Sequence, residues 1–397
     1  MLFAHFSDCH IGGWKEEKLK DLNIQCFKKA IALVIDRQVD FLLISGDLFN
    51  TALPQIDYIK EATSELKKLK DLNIPVYMIA GSHDYSPSGK TMLDVLEKAG
   101  LIINVMRFHE NETLKFTQDK TGAKITGMLG KKGGLEINDY ENLNTKNLEE
   151  EDGFKIFMFH TAINEFKPQG LEEMSGADAT RLPQNFHYYA GGHVHYVFQK
   201  EFGKGVLTFP GALFPNNFKE MEEWQYGGVY FVNEKVEWEY VPVKIKDIET
   251  FSISVNELTP EKATEKIVQE VKSRNTDDKI ITLRVHGELD GKTSDVNFKE
   301  ILEHLHEAYF VLKNTAKLQS KQNKEVNMKL GTVEEIEQEI LKEQVFEITI
   351  KEMDKNDQFI QQLMQLLNKE KEDGEKVQDF EKRIISEGLK VLDVETA

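Results

Sequence analysis

Residues 2–12 have the sequence LFAHFSDCHIG, in which a short apolar run is followed by an Asp-x-His pair. Two further apolar runs, at 41–44 and 76–79, are also followed by polar residues, and amphipathic stretches of helical length separate the three runs. Short apolar runs that alternate with longer amphipathic ones predict strands that alternate with helices. The beginning of the chain therefore predicts an α/β fold in which helices cover a sheet.

The next apolar segments are short and closely spaced, which is typical of β-rich structure. They lie at 123–129, 154–159, 188–190, 206–209, 228–232 and 236–243. Together with the first group they predict a two-layered β-sheet core flanked by helices. We assign this core to a domain of residues 1–249.

The pattern changes near residue 250. A helical run at 261–271, a strand at 280–285 and a helix at 298–306 predict a small α/β capping domain over residues 250–330. Residues 331–397 carry apolar stripes at helical spacing and predict a C-terminal helix-loop-helix tail. Taken alone, such stripes favour packing within the same chain over binding in a groove of another chain.

The composition of the 397 residues excludes several classes of protein. There are 68 acidic and 50 basic residues, a formal net charge of −18, so a broadly basic nucleic-acid coat is excluded and any such site must be local. Two cysteines are too few for a disulfide framework or a thiolate zinc site, which favours a reducing, cytoplasmic location. No signal peptide or membrane span is predicted, because no apolar run approaches ~18 residues.

Five polar signatures each follow a predicted strand. In chain order they are Asp8-Cys9-His10, Gly46-Asp47, Gly81-Ser82-His83-Asp84, His160 and Gly192-His193-Val194-His195. In an open α/β sheet the loops beyond the carboxyl ends of the strands form the ligand-binding crevice, so distant residues meet there. Any one histidine alone is more often a structural or surface residue than a ligand. The joint occurrence of all five signatures is what favours a metal site.

Carboxylate and imidazole ligands without a thiolate suit borderline divalent metals such as Mn, Fe or Zn. The candidate ligands exceed what a single open catalytic ion needs, which predicts two ions. A carboxylate such as Asp47 can bridge two ions about 3.5–4 Å apart, the arrangement that clamps the attacking and leaving oxygens in phosphoryl transfer. We therefore predict a dinuclear phosphoesterase centre.

The order of these signatures resembles that of the calcineurin-like metallophosphoesterases. More closely, the segments FSDCHIG at 6–12, SGDLF at 45–49 and FPG at 209–211 resemble the Mre-eleven/SbcD family of DNA-repair nucleases. The resemblance is strong over about residues 1–245 and rests on architecture alone beyond them. It implies a nuclease fold with a small DNA-binding capping domain, and manganese as the expected metal.

The resemblance also implies a role for each matching residue. The first metal would be held by Asp8, His10, Asp47 and His195, and the second by Asp47, Ser82, His160 and His193. His83 would face the scissile phosphate as an acid or as a stabiliser of developing charge, and the adjacent Asp84 would orient it. The implied reaction is hydrolysis of DNA phosphodiesters by a metal-bound hydroxide, as an endonuclease and 3′–5′ exonuclease of double-strand-break repair.

The sequence departs from the family at three positions. Ser82 stands where the family usually has Asn, and its hydroxyl is a shorter and weaker ligand, so the expected affinity of the second site is lower. Asn50 replaces a histidine that approaches the nucleotides near the cut, which weakens the expectation of exonuclease activity. Ala212 replaces a serine, a change that we do not translate into function.

The expected partners follow from the same resemblance. They are DNA ends, double- and single-stranded, and an SMC-like ATPase of the Rad-fifty/SbcC type, bound at its coiled-coil base by the tail. The candidate tail contacts are Phe359, Leu363, Phe380 and Ile384. A homodimer is also implied, through helices of the nuclease domain that would include parts of 56–69 and 91–97.

Two other interpretations stay open. The metal signatures are shared by phosphatases and small-molecule phosphodiesterases of the same superfamily, although such enzymes have no obvious need for a capping domain and tail. Alternatively, the protein is a DNA-end scaffold with weakened catalysis, an interpretation that Ser82 and Asn50 keep open.

Overall fold

The computed structural model describes residues 1–321 except 88, 90, 111–112, 169–170 and 172, together with 366, 380, 383–384 and 386–387. Residues Met1–Ser320 form one compact unit. Two of the candidate tail contacts, Phe359 and Leu363, lie outside the described residues, whereas Phe380 and Ile384 are helical and half-buried. The domain boundaries at 249 and 330 stay a prediction.

Short strands dominate the described chain. Their bounds are β1 Leu2–Phe6, β2 Phe41–Ser45, β3 Val76–Ile79, β4 Ile103–Asn104, β5 Thr117–Gln118, β6 Lys124–Met128, β7 Lys155–His160, β8 Ala162–Ile163, β9 Gly176–Ala177, β10 Tyr188–Gly192, β11 Val197–Phe202, β12 Gly205–Pro210, β13 Gly228–Asn233, β14 Trp238–Pro242, β15 Ile248–Ser254, β16 Ile280–Leu289, β17 Phe310–Asn314 and β18 Leu318–Ser320.

The helices alternate with the strands at the beginning of the chain and become sparse later. Their bounds are α1 Glu17–Asp36, α2 Ile56–Asp71, α3 Met92–Lys98, α4 Ile137–Glu141, α5 Lys146–Glu149, α6 Phe218–Glu223, α7 Pro260–Lys272 and α8 Phe298–Glu303. The helix predicted at 298–306 ends at Glu303, and turns follow it. In the described residues no helix combines the length and apolar character needed to cross a bilayer.

Two six-stranded sheets form the core. The first sheet has the order β14-β13-β1-β2-β3-β4 and the second has the order β11-β12-β10-β7-β6-β5. The strands β1, β2 and β3 are parallel neighbours in the first sheet, as β7 and β10 are in the second. A third sheet, β15-β16-β17 with β18 paired to β16, follows them in the chain. The prediction of an α/β fold with a two-layered β-sheet core is confirmed.

Both faces of each central strand are buried, so apolar side chains point from each strand into the layers on either side. Contacts between these side chains hold the layers together. Between the two sheets, Phe3 stacks on Phe41 with ring centroids 5.1 Å apart and meets Tyr188 of the second sheet edge to face. The outer face of the first sheet packs against α1, whose buried Leu22, Cys26 and other residues recur at helical spacing. The core therefore fixes how the two sheets lie against each other.

The carboxyl ends of five strands meet at one edge of the core, which we call the metal rim: those of β1, β2, β3, β7 and β10. The approach is close, since a Cβ on Gly192, at the end of β10, would lie 2.0 Å from Ser45 O at the end of β2. Only glycine leaves room for this contact. The sheets thus bring their strand ends, and the residues that follow them, into one place.

Candidate metal centre

The metal rim brings Asp8, His10 and His195 together. The Asp8 Oδ1 atom lies 3.8 Å from His195 Nε2 and 4.0 Å from His10 Nε2. The two Nε2 atoms of the histidines are 3.0 Å apart. One ligand atom from each of the three residues lies within 4.8 Å of the others, a spacing that can hold a metal ion.

Asp47 lies at the centre of a second group with Asp8 and His160. The Asp47 Oδ2 atom is 3.2 Å from His160 Nε2 and 3.6 Å from His10 Nε2, so it reaches both groups. Asp8 also reaches both groups, since its Oδ1 atom is 4.0 Å from His160 Nε2. Two clusters that share carboxylates are consistent with a dinuclear divalent site.

The chemistry of His160 fits a cation at this position. Its Nδ1 atom lies 2.8 Å from Ser45 O and donates its proton there, since a carbonyl oxygen only accepts. In the neutral ring Nε2 then carries a lone pair, and this buried atom has no hydrogen-bond partner in the described part of the chain. It faces the Asp47 carboxylate, an arrangement that repels unless a proton or a cation lies between the two atoms.

The carboxylates hold protons on the neighbouring imidazoles. Burial lowers the pKa of His160, but Asp47, Asp8 and the carbonyl of Ser45 together outweigh burial and raise the pKa to about 10. At His195 burial is offset in the same way by Glu220, and the pKa rises to about 9. Burial would raise the pKa of Asp47, yet the adjacent imidazoles hold it far below its usual range. A divalent cation competes with these protons, so its binding releases them.

The backbone at the rim is strained. Asp8, His10, Asp47 and His193 have positive φ angles of 51°, 43°, 51° and 85°, in the left-handed region that non-glycine residues rarely adopt. Each such residue costs of order 1 kcal/mol or more, which the surrounding structure must compensate. All four are candidate ligands.

Ser82 and His193 lie at the margin of the centre. The Ser82 Oγ atom is 3.5 Å from Asp47 Oδ2, and the ring of His193 is 5.2 Å from that of His160, centroid to centroid. Burial lowers the pKa of His193 to about 3, so its ring is neutral and able to bind a metal. Their assignment as ligands of the second metal stays a prediction.

His83 is oriented by Asn50, because its Nδ1 atom lies 2.9 Å from Asn50 O and its backbone N–H donates to Asp47 Oδ1 at 2.7 Å. The predicted orienting residue, Asp84, has a different set of contacts. Its carboxylate accepts from the backbone N–H groups of Leu48, Phe49 and Gly81 at 3.1–3.2 Å. Asp84 thus ties the loop that carries Asp47 to the loop that carries His83.

We expect Asp84→Asn to lower the free energy of unfolding by about 1–3 kcal/mol. The wild-type carboxylate accepts at both oxygens, so either orientation of the amide places an NH₂ group against a backbone N–H. Burial and the charge of Asp47 raise the pKa of Asp84 to about 7, so urea unfolding should be measured above that pH, where the carboxylate is ionised.

Asp71→Asn is the matched control for this prediction. Asp71 is exposed and pairs with Lys67 across one helical turn, so its replacement should change stability by less than about 0.5 kcal/mol. An Asp84→Asn protein as stable as the wild type would contradict the bracing role of Asp84.

Two partners of the ligands were missed by the sequence reasoning. Glu220 Oε1 accepts from His195 Nδ1 at 2.9 Å, and Ser45 O accepts from His160. Such partners fix the orientation and tautomer of a metal-binding histidine. A backbone carbonyl carries no sequence signal. The spacing of Asn217 and Glu220 indicates the start of a helix but gives no indication of the contact with His195.

Comparison with known proteins gives matches over the part of the chain that carries the centre. The family model described as "Calcineurin-like phosphoesterase" matches residues 1–197. The chain is 31% identical over 241 residues to "DNA double-strand break repair protein Mre11" of Methanococcus maripaludis, an alignment that covers 58% of this chain and 62% of that protein. The proteins of the same name from Methanocaldococcus jannaschii and Sulfolobus acidocaldarius are 29% and 28% identical, over 65% and 73% of this chain and 73% and 75% of theirs.

Proposed function

We propose that this chain, whose residues 1–197 match the calcineurin-like phosphoesterase model, is a dinuclear metal-dependent DNA nuclease that acts in double-strand-break repair. The observation that carries the proposal is the pair of ligand clusters at the metal rim, which share Asp8 and are linked by Asp47, whose Oδ2 atom lies 3.6 Å from His10 Nε2. The names of the relatives support DNA as the substrate. Manganese is the proposed metal.

The residues of the metal rim have two proposed roles, metal binding and contact with the scissile phosphate. Asp8, His10, Asp47 and His195 would hold one ion, and Asp47, Ser82, His160 and His193 the other. When bound, the ions polarise the phosphodiester and supply a nucleophilic water near neutral pH. His83 donates Nδ1–H to Asn50 O, so its Nε2 atom is the one proposed to contact the scissile phosphate. With both ring nitrogens protonated, His83 would donate its Nε2 proton to the leaving oxygen, or its positive charge would stabilise the developing negative charge.

The test of this proposal compares substrates. With Mn²⁺ present, the protein should cleave linear and supercoiled DNA as well as a nitrophenyl phosphodiester, and chelation of the metal should abolish both activities. Turnover of the small ester alone would favour a small-molecule phosphodiesterase. Failure to hydrolyse either, with DNA still bound, would favour a DNA-end scaffold. Polarity of the cut is read from end-labelled strands.

We also propose a homodimer and an ATPase partner. Support for the dimer comes from large apolar side chains exposed near α2 and α3: Leu53 at 74%, Ile56 at 80% and Val95 at 56%. Support for an SMC-like ATPase of the Rad-fifty/SbcC type comes from the resemblance and from Phe380 and Ile384, which are both helical and half-buried. Light scattering and copurification with such an ATPase test the two proposals. An intracellular, DNA-associated location follows from them.

A further inference from the structure

The short helix α6 lies between the metal rim and the third sheet. It contacts His195 on one side and contacts β15 and β16 on the other. Two of its three acidic residues, Glu220 and Glu222, are two positions apart, and at 3.6 residues per turn their side chains point about 200° apart around the helix axis. One turn of helix therefore presents one carboxylate to each side.

Glu220 is fixed on the side of the rim. Its Oε1 atom lies 2.9 Å from His195 Nδ1 and 2.5 Å from Asn217 Nδ2, and its Oε2 atom accepts from the backbone N–H of Asn216 at 2.7 Å. The side chain is largely buried. Because His195 donates from Nδ1 to this carboxylate, its Nε2 atom is the one that faces Asp8 and His10.

Glu222 is fixed on the side of the third sheet. Arg284, in the middle of the central strand β16, binds both oxygens of Glu222, with Nε–O distances of 3.0 and 3.1 Å and an Nη2–Oε2 distance of 2.5 Å. Its guanidinium also lies 4.9 Å from the ring centroid of Phe218, four residues before Glu222 on the same helix face. Both charged side chains are mostly shielded from solvent.

We propose that Arg284 is a positioning residue for the metal ligand His195, which it controls through α6. The bidentate pair with Glu222 sets where the helix lies, and the helix sets where the Glu220 carboxylate meets His195. A six-residue helix has little stability of its own, so its position depends on these contacts. A displacement of the third sheet would thereby change the metal affinity of the rim.

The proposal rests on the metal centre proposed above, and it goes beyond that centre by linking it to a distant sheet. Lysine cannot reproduce the geometry of Arg284, because its ammonium is a point charge without the planar fork that binds a carboxylate at two atoms. Surface ion pairs contribute little, but this pair is half-buried and bidentate, where the contribution is larger.

The experiment compares Arg284→Gln and Glu222→Gln with the wild type in the full chain. Mn²⁺ binding is measured by calorimetry, and the EPR spectrum of bound Mn²⁺ reports the ligand geometry. Direct partners of metal-binding histidines change metal affinity by about 10–100-fold, so a residue one contact further away should weaken Mn²⁺ binding by about three- to tenfold. The EPR spectrum of Mn²⁺ bound to these two variants should also differ from that of the wild type.

Lys18→Met is the matched control. Lys18 donates to Tyr309 O, a contact with the segment before β17 that does not involve α6. Its loss should leave the Mn²⁺ affinity within about twofold of the wild type. Amide hydrogen exchange of residues 217–224, measured without metal, should accelerate in the two glutamine variants and stay unchanged in Lys18→Met.

Three outcomes would overturn the proposal. The first is wild-type Mn²⁺ affinity and EPR spectrum in Arg284→Gln and Glu222→Gln, even with a lowered melting temperature, since the pair would then be only structural. The second is an equal loss of affinity in Lys18→Met. The third is a wild type that binds no Mn²⁺, which would overturn the proposed centre as well. If Arg284→Gln does not fold, Glu222→Gln decides alone, because its amide still accepts one hydrogen bond.

Discussion

Replacing Asp47 by asparagine is expected to lower DNA hydrolysis by more than about 10³-fold, which corresponds to at least about 4 kcal/mol of transition-state stabilisation. The substitution keeps the shape and removes the charge. The Asp47 carboxylate lies within 3.6 Å of both His10 and His160, so it is the group placed to neutralise two ions at once. An amide offers one neutral oxygen in its place, and its NH₂ group repels a cation.

The measurement has two parts, cleavage of plasmid DNA and the number of Mn²⁺ ions bound per chain. We expect Asp47→Asn to lose at least one ion. Asp71→Asn, on an exposed helix face, should keep both ions and full activity. If Asp47→Asn bound the full number of Mn²⁺ ions and cleaved DNA at the wild-type rate, Asp47 would not be a metal ligand.

The second large effect is expected for His83→Ala, which should lower hydrolysis by about 10²–10³-fold with little loss of metal. The expectation of little metal loss is a strict one, because His83 lies close enough to His10 and Asp47 to be a metal ligand itself. The rings of His83 and His10 are 4.8 Å apart. The backbone N–H of His83, which donates to Asp47, is retained in the variant.

His193→Ala is the comparison that makes the result decisive. It should lose one Mn²⁺ ion, whereas His83→Ala should keep both, and the exposed His306→Ala should change neither metal content nor rate. The opposite pattern, with an ion lost in His83→Ala and none in His193→Ala, would exchange the roles of these two histidines.

The sequence predicted the elements and the positions of the candidate ligands. Apolar runs such as 41–44 and 76–79 coincide closely with β2 and β3, because a buried strand needs a continuous apolar run. The candidate ligands Asp8, Asp47 and His160 lie at or just after strand ends, where parallel strands bring them to one edge. A local pattern is enough for both inferences, since strand formation and side-chain chemistry are encoded within a few residues.

Other features could not be read from local patterns. The resemblance implied Asp47 as the shared ligand, but the structure also places Asp8 in both the His195 and the His160 clusters. Asp84 was expected to orient His83 because the two are adjacent, yet its contacts are backbone amides of two loops. The backbone at Asp8 and Asp47 is left-handed, a conformation that neither residue type requires and that only the surrounding packing holds in place.

By itself, the sequence determined that this protein has alternating strands and helices, an acidic surface and a set of Asp and His residues suited to divalent metals. Only the tertiary structure decided which of these residues meet and what holds them. Glu220 is 25 positions from His195, and Arg284 is 62 positions from Glu222, yet both pairs are in direct contact. Contacts between elements depend on how whole layers pack, and no short stretch of sequence contains that information.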